Sequence, residues 1–186
     1  MQKPRLIGFT GLKGSGKDTS GSVFVDHDWL RVSFAEPLKD MLKSLLVARG
    51  CPDPERYTDG DKKEVATSYL MGRTARHAMQ TLGTEWGRTL IDGNLWIDTF
   101  KRRVNTTLLL GDSVVVTDIR FLNEVEAIKD LGGVVFRIER PALDGRTFSD
   151  AHASETQVGD LPVDGVIVNS FPTAHDFRRH IEARFF

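Results

Sequence analysis

Cysteine is nearly absent from this chain: 186 residues carry one, Cys51. No intrachain disulfide is possible, and that fits a reducing compartment. Cys51 lies in Gly50-Cys51-Pro52, which reads as a turn, with no adjacent His to activate a nucleophile. It is taken as a bystander. Apolar runs of transmembrane length are missing, and no secretory leader pattern is read, so a cytoplasmic location is expected. Neither sign of charge dominates. A formal net charge of −1 gives no global electrostatic case for nucleic acid or a membrane surface as partner. Zinc-ligand spacing and a Ser-His-Asp order are also lacking, as are internal repeats and low-complexity tracts. What is present is the balance of a globular protein, 40% hydrophobic and 27% charged. The length favours one domain over residues 1–186, with room for an inserted subdomain.

The strongest positive signal is near the start. Gly11-Leu12-Lys13-Gly14-Ser15-Gly16-Lys17-Asp18-Thr19 follows the apolar run Leu6-Ile7-Gly8-Phe9 and precedes a helical pattern. Strand, glycine-rich turn, lysine and helix form the phosphate cradle called a P-loop. The glycines let successive N–H groups converge on an anion, and the helix adds the positive end of its dipole. Lys17 supplies a point charge for β- and γ-phosphates. Gly11, Lys13, Gly14, Ser15, Gly16, Lys17, Asp18 and Thr19 are therefore the candidate contacts of a nucleoside triphosphate. The pattern asks for Ser or Thr directly after the lysine, to meet Mg²⁺. Here that place holds Asp18, and the hydroxyl comes one residue later at Thr19. Either residue is a candidate metal contact; each also has a capping role open to it at the helix N-terminus.

Short apolar runs alternate with helical patterns along the rest of the chain. Strands are expected at 5–9, 30–34, 114–116, 134–138 and 166–168. Helices are expected at 17–26, 38–48 (with Pro37 in its first turn), 73–90, 94–106, 123–131 and 173–184. Residues 50–72 read as an exposed polar loop, and 141–163 as a long irregular connection of the kind that acts as a lid. The alternation argues for an α/β fold, a parallel sheet with helices on both faces and ligands at the carboxyl ends of its strands.

Several polar groups fall at those strand ends. Thr117-Asp118-Ile119-Arg120 follows the valine run, where Asp118 suits a metal or substrate contact and Arg120 a bidentate grip on phosphate; the alternative is an Asp–Arg pair capping the next helix. Arg73, Arg76 and Gln80, at i, i+3 and i+7, would share one face of a helix suited to a phosphate and a base edge, with Arg88 further along; the alternative is a solvated basic face. Trp86 and Trp96 read as core residues. Arg140, with Arg146 behind it, would bring positive charge to a transferring phosphoryl group; His152 is a candidate base, but positioning and charge dominate phosphoryl transfer, so a structural hydrogen-bonding role ranks above it. Asn169, just after the last strand, is placed beside the adenine. The basic run Lys101-Arg102-Arg103 reads as a solvated helix face.

Taken in order, the P-loop ending Lys17-Asp18-Thr19, Phe34-Ala35-Glu36-Pro37-Leu38-Lys39, the stretch from Gln80 to Arg88, Thr117-Asp118-Ile119-Arg120-Phe121-Leu122-Asn123-Glu124 and His152-Ala153-Ser154-Glu155 resemble the deoxynucleoside monophosphate kinases of tailed bacteriophages. The resemblance runs over nearly the whole chain. It implies a three-layer P-loop NTPase fold, mostly parallel, with a helical monophosphate-binding insertion at about 36–106 and a lid at about 140–163. It also implies the reaction: ATP with Mg²⁺ phosphorylates a deoxynucleoside monophosphate to the diphosphate, a step of deoxynucleotide biosynthesis, in the host cytoplasm if the chain is phage-encoded. Lys17, Arg120 and Arg140 would then be catalytic, with the P-loop and Asn169 on ATP. Arg73, Arg76, Gln80, Arg88 and Asp118 would bind substrate, and Asp18, Thr19 and Asp118 would serve Mg²⁺. Small molecules are the expected partners, with neither nucleic acid nor membrane, and a homodimer stays open. The alternatives are a P-loop kinase of another small acceptor such as dephospho-coenzyme A, a nucleotide-dependent switch, and a nucleic-acid-end kinase, which the near-neutral charge disfavours.

Overall fold

A computed structural model describes residues 4–141 and 158–186. The expected lid centre, with Arg146 and His152, lies outside the described residues. The chain divides into two compact units, residues 1–33 with 100–186 and residues 34–99.

The first unit is built on a five-stranded sheet in the order β2-β5-β1-β6-β7, every neighbouring pair parallel. The strands are β1 (Leu6–Thr10), β2 (Leu30–Arg31), β5 (Val114–Ile119), β6 (Val134–Glu139) and β7 (Gly165–Val168). Runs such as Val114-Val115-Val116, fully buried, are apolar on both faces because both faces are covered. On one face Ile7, Phe9, Val115, Ile138 and Ile167 pack with Val23 and Phe24 of α1 (Lys17–Asp26) and with Phe177 and Ile181 of α7 (Ala174–Phe185). The intervening residues point the other way. There α6 (Leu122–Asp130) packs against β1 and β6. The result is a three-layer α/β unit, and the strands lie where the apolar runs place them. β2 is shorter than the expected 30–34, ending at Arg31.

The second unit has its own core, Leu42, Leu46, Cys51, Tyr57, Ala75 and Met79. Leu38, Leu42 and Leu46 recur every fourth residue along α2 (Glu36–Ala48) and are its buried stripe. Residues 50–72 are more ordered than an exposed loop. They hold α3 (Glu55–Thr58) and β3 (Ala66–Thr67), which pairs antiparallel with β4 (Arg73–Thr74). Cys51 is buried there, at 6% exposure, as a packing residue rather than a turn bystander. Elements of two to four residues show no periodicity, so the polar composition hid them.

The expected helix 73–90 is also different in kind. β4 takes Arg73 and Thr74, α4 spans Ala75–Gln80, and a π-helical stretch follows over Thr81–Ile91, before α5 (Leu95–Leu109). Thr74 caps α4, its hydroxyl accepting from the His77 N–H at 3.1 Å. Tryptophan and glycine account for the widened turns. The Trp96 indole N–H donates to the Gly83 carbonyl at 2.9 Å, and a Cβ on Gly87 would meet the Trp96 ring at 2.4 Å. Trp96 is core, as expected, whereas Trp86 remains 37% exposed.

Candidate active site

The loop between β1 and α1 is shaped by its neighbours. Gly11 has φ +147°, and a Cβ there would lie 2.4 Å from the Ile138 carbonyl oxygen. Gly16 has φ +115° and would press a Cβ against Phe177 and the Asn169 amide. Any other residue at these two positions strains the backbone and collides. The Lys17 ammonium donates to the Gly11 and Leu12 carbonyls, at 2.7 Å each, and so lies across the mouth of the loop. Gly14, Gly16, Lys17, Asp18 and Thr19 line a cavity of ≈ 160 Å³ whose other wall is Arg140, Asn169, Phe171, Thr173, Ala174 and Phe177. A second cavity of ≈ 390 Å³ borders the loop from Gly11, Leu12, Lys13 and Ser15 to Arg137–Arg140, Val158 and Gly159. Both cavities open at the carboxyl ends of the strands, where a parallel sheet binds ligands.

Asn169 reaches the loop from β7. Its Nδ2 donates to the Ser15 carbonyl at 2.8 Å, its backbone N–H to Glu139 O at 2.7 Å, and its Oδ1 is buried with no partner among the described residues. Arg140 is exposed at the end of β6 and makes no ion pair with a described residue. Arg137, three residues earlier, is committed: Nε donates to Glu139 at 2.8 Å and Nη1 to the Gly159 carbonyl at 2.9 Å.

Two acids meet the hydroxyls near the end of β5, Asp118 from the strand itself and Asp18 from α1. Ser33 Oγ donates to Asp118 Oδ2 at 2.6 Å, and Thr117 Oγ1 to Asp18 Oδ1 at 3.1 Å. Arg31 also engages Asp18, Nη2 donating to its carbonyl at 3.1 Å and Nη1 lying 3.7 Å from its carboxylate. The Asp18 side chain is thus turned toward the neighbouring strands, while the Thr19 hydroxyl makes no hydrogen bond to a described residue. Glu124, buried at 3% exposure, accepts from the backbone N–H groups of Arg120 and Phe121 at 2.7 and 3.1 Å and so fixes the turn that carries Arg120. Arg31, Ser33 and Glu124 were not singled out as site residues from the sequence, because each acts only through a partner far away or through a turn.

In the second unit the expected common helical face does not form. Arg73 is on a strand and exposed, while Arg76 and Gln80 are on α4. Arg76 pairs with Glu64, and Arg88 lies in the π-helical stretch. Lys39 and Lys43 share Asp59. Burial alone would raise the Asp59 carboxyl; hydrogen bonds from Lys39, Thr58 and Lys43 and the Lys39 charge outweigh it and hold the group at about 2.

Comparison with known proteins decides the family. The family model for deoxynucleotide monophosphate kinase matches residues 56–175. A curated protein described as a putative deoxynucleotide monophosphate kinase, from Acanthamoeba polyphaga mimivirus, is 31% identical over 95% of this chain and 93% of its own length. The chain belongs to the deoxynucleotide monophosphate kinase family. The matched model begins after the P-loop, so the likeness does not rest on that motif. Among solved structures, a dephospho-CoA kinase from Campylobacter jejuni superposes with TM-score 0.51 at 14% identity, covering 97% of this chain and 94% of its own, a likeness of fold. Family membership makes this protein a kinase, a phosphotransferase that binds nucleotide. No helix among the described residues is long and apolar enough to cross a membrane.

Proposed function

We propose that this kinase transfers the γ-phosphoryl group of ATP to the phosphate of a deoxynucleoside monophosphate. An oxygen of the acceptor phosphate attacks the γ-phosphorus, the bond to the β–γ bridging oxygen breaks, and ADP leaves as the deoxynucleoside diphosphate forms. The observation that carries the reading is the Lys17 cavity, a glycine-shaped phosphate cradle with a lysine at its mouth, in a chain of this family.

In this reading the loop N–H groups and Lys17 hold the β- and γ-phosphates, and Asn169 and Phe171 border the adenine. Arg140 and Arg120 steady the charge of the transferring group. Asp118, oriented by Ser33, and Thr19 would each offer Mg²⁺ an oxygen, the ligand type it takes. No group of three or more His, Cys, Asp or Glu side chains that could hold a metal occurs among the described residues, which accords with an ion that keeps waters and phosphate oxygens as ligands. Mg²⁺ would supply charge neutralisation between the β- and γ-phosphates. Asp18, bound to Thr117 and Arg31, shapes the first turn of α1 instead. The second unit, with Arg73, Arg76, Gln80 and Arg88, is the acceptor-binding insertion. The enzyme acts on free nucleotides in the cytoplasm, in deoxynucleotide biosynthesis.

The test is ADP release with ATP and Mg²⁺ across the four deoxynucleoside monophosphates, with dephospho-coenzyme A as comparator. Turnover on one or more of the former is expected. Turnover on dephospho-coenzyme A alone, or ATP hydrolysis independent of any acceptor, would sink the reading.

A further inference from the structure

Lys63 stands out in the second unit. The segment before β3 is fixed by backbone bonds: Lys62 N–H donates to Arg56 O at 3.0 Å, Val65 N–H to Lys62 O at 3.0 Å and Arg76 N–H to Lys63 O at 3.1 Å. The last of these seats Lys63 against the start of α4. Four nearby cations hold an acid, and Lys62 lies over the Tyr57 ring. Lys39 and Lys43 are on Asp59, Arg56 is bidentate to Asp61, and Arg76 is on Glu64. Lys63 is half-buried and has no hydrogen bond or ion pair from its ammonium to any described residue. Burial, followed by the charges of Lys39 and Arg76, pushes its ammonium below the ordinary lysine range, against a weaker pull from Asp59 and Glu64. The two carboxylates that act on Lys63 are already engaged, Asp59 by Lys39 and Lys43 and Glu64 by Arg76.

A cation held half out of water, beside like charges and without a counter-ion, costs stability; it persists where an anion completes the cluster. We propose that Lys63 is an acceptor-phosphate contact of this enzyme, its ammonium joining Arg76 and Lys39 around a phosphate monoester dianion. The inference rests on the reading of the acceptor as a nucleoside monophosphate, and it supplies a residue that the helix-face argument from Arg73, Arg76 and Gln80 missed. A lysine suits this place, since its point charge leaves the bidentate geometry to the neighbouring Arg76.

The test uses the full chain with Lys63→Gln and Lys63→Arg, assayed with ATP, Mg²⁺ and the best deoxynucleoside monophosphate of the panel. In Lys63→Gln the KM for the monophosphate should rise about tenfold or more, with kcat and the KM for ATP nearly unchanged, because the lost contact binds ground and transition states alike. Lys63→Arg should recover most of the affinity. Inorganic phosphate should raise the melting temperature of the wild-type protein more than that of Lys63→Gln, whose remaining rise comes from the loop at Lys17; equal rises would overturn the inference. Without phosphate, Lys63→Gln should melt no lower than wild type, because an unpaired charge has been removed. Wild-type turnover with an unaltered KM in Lys63→Gln would overturn the inference and leave the kinase reading standing. Absence of wild-type turnover on every monophosphate would overturn that reading, and the inference with it. A lowered melting temperature with equal losses toward both substrates would mark Lys63 as a structural residue and overturn the inference alone.

Discussion

Asn169 holds Ser15: the side-chain amide of the residue after β7 donates to a carbonyl of the loop after β1, at 2.8 Å. The phosphate loop is thereby fastened to the far side of the sheet rather than to its own strand alone. Replacing Asn169 by Ala leaves the Ser15 carbonyl without that donor, at a cost of about 1–3 kcal/mol. We expect Asn169→Ala to raise the KM for ATP more than the KM for the acceptor. Asn169→Asp, which sets a carboxylate against the same carbonyl, should be worse. Separate KM values for the two substrates decide the matter; equal effects on both would remove the loop-fastening role.

Lys17 is the residue whose loss should cost most. With its ammonium at the mouth of the loop, Lys17→Ala should lower turnover by about 10²–10³-fold, the scale of removing one preorganised donor from a reacting group. Its circular dichroism melt should stay close to wild type. Near-normal turnover would contradict the assignment of the cavity.

Thr19 and Asp18 should part company in Mg²⁺ titrations. Both residues line the cavity, but the Asp18 carboxylate accepts from Thr117 and lies near Arg31, whereas the Thr19 hydroxyl has no hydrogen bond to a described residue. Thr19→Val should therefore raise the Mg²⁺ concentration needed for half-maximal turnover, and Asp18→Asn should leave it nearly unchanged. The reverse order would hand the metal to Asp18.

Gly87 is a packing residue. An added methyl there meets the Trp96 ring at 2.4 Å, and the ring is held by its own bond to Gly83. Overpacking of this kind typically costs about 1–3 kcal/mol. Urea unfolding of Gly87→Ala should show a loss in that range, while Gly93→Ala, where nothing lies within 4 Å, should be mild by comparison.

Asp59 sets an acid limb of stability. Its carboxyl is lowered from 3.8 to about 2, so the ionised form is favoured in the folded state. The stabilisation is present above the unfolded value and fades as pH falls from there through about 2. Wild type should exceed Asp59→Asn in melting temperature near neutral pH, with the gap closing on acidification. A gap that is the same at pH values above and below that window would exclude the carboxylate as its source.

The sheet and its covering helices were legible because each obeys a strong pattern. Valine runs announce buried parallel strands, and the leucines of α2 announce a stripe. The phosphate loop was legible for a different reason: its glycines are demanded by Ile138, Phe177 and Asn169, so their spacing survives in the sequence. The second unit was harder. Arg73 looked helical because it lies in register with Arg76 and Gln80, yet pairing with β3 takes it into a strand. The π-helical turns have no separate sequence period, and their cause, the Trp96 indole against Gly83 and Gly87, is a contact across several residues. Lys63 left no signal at all, because an unpaired lysine and a solvated one look alike in a sequence.

The tryptophans have a practical consequence. Of three in the chain, Trp86 and Trp96 lie in the second unit with ring centroids 6.2 Å apart, one exposed and one buried. Trp29 lies in the first unit, edge-on to Phe24. A Trp29→Phe protein thus carries all its indole emission in residues 34–99, beside Arg88 and the helix that bears Arg76. That protein is its own optical reporter: quenching or a spectral shift on adding a nucleotide reads events in that unit without any attached dye.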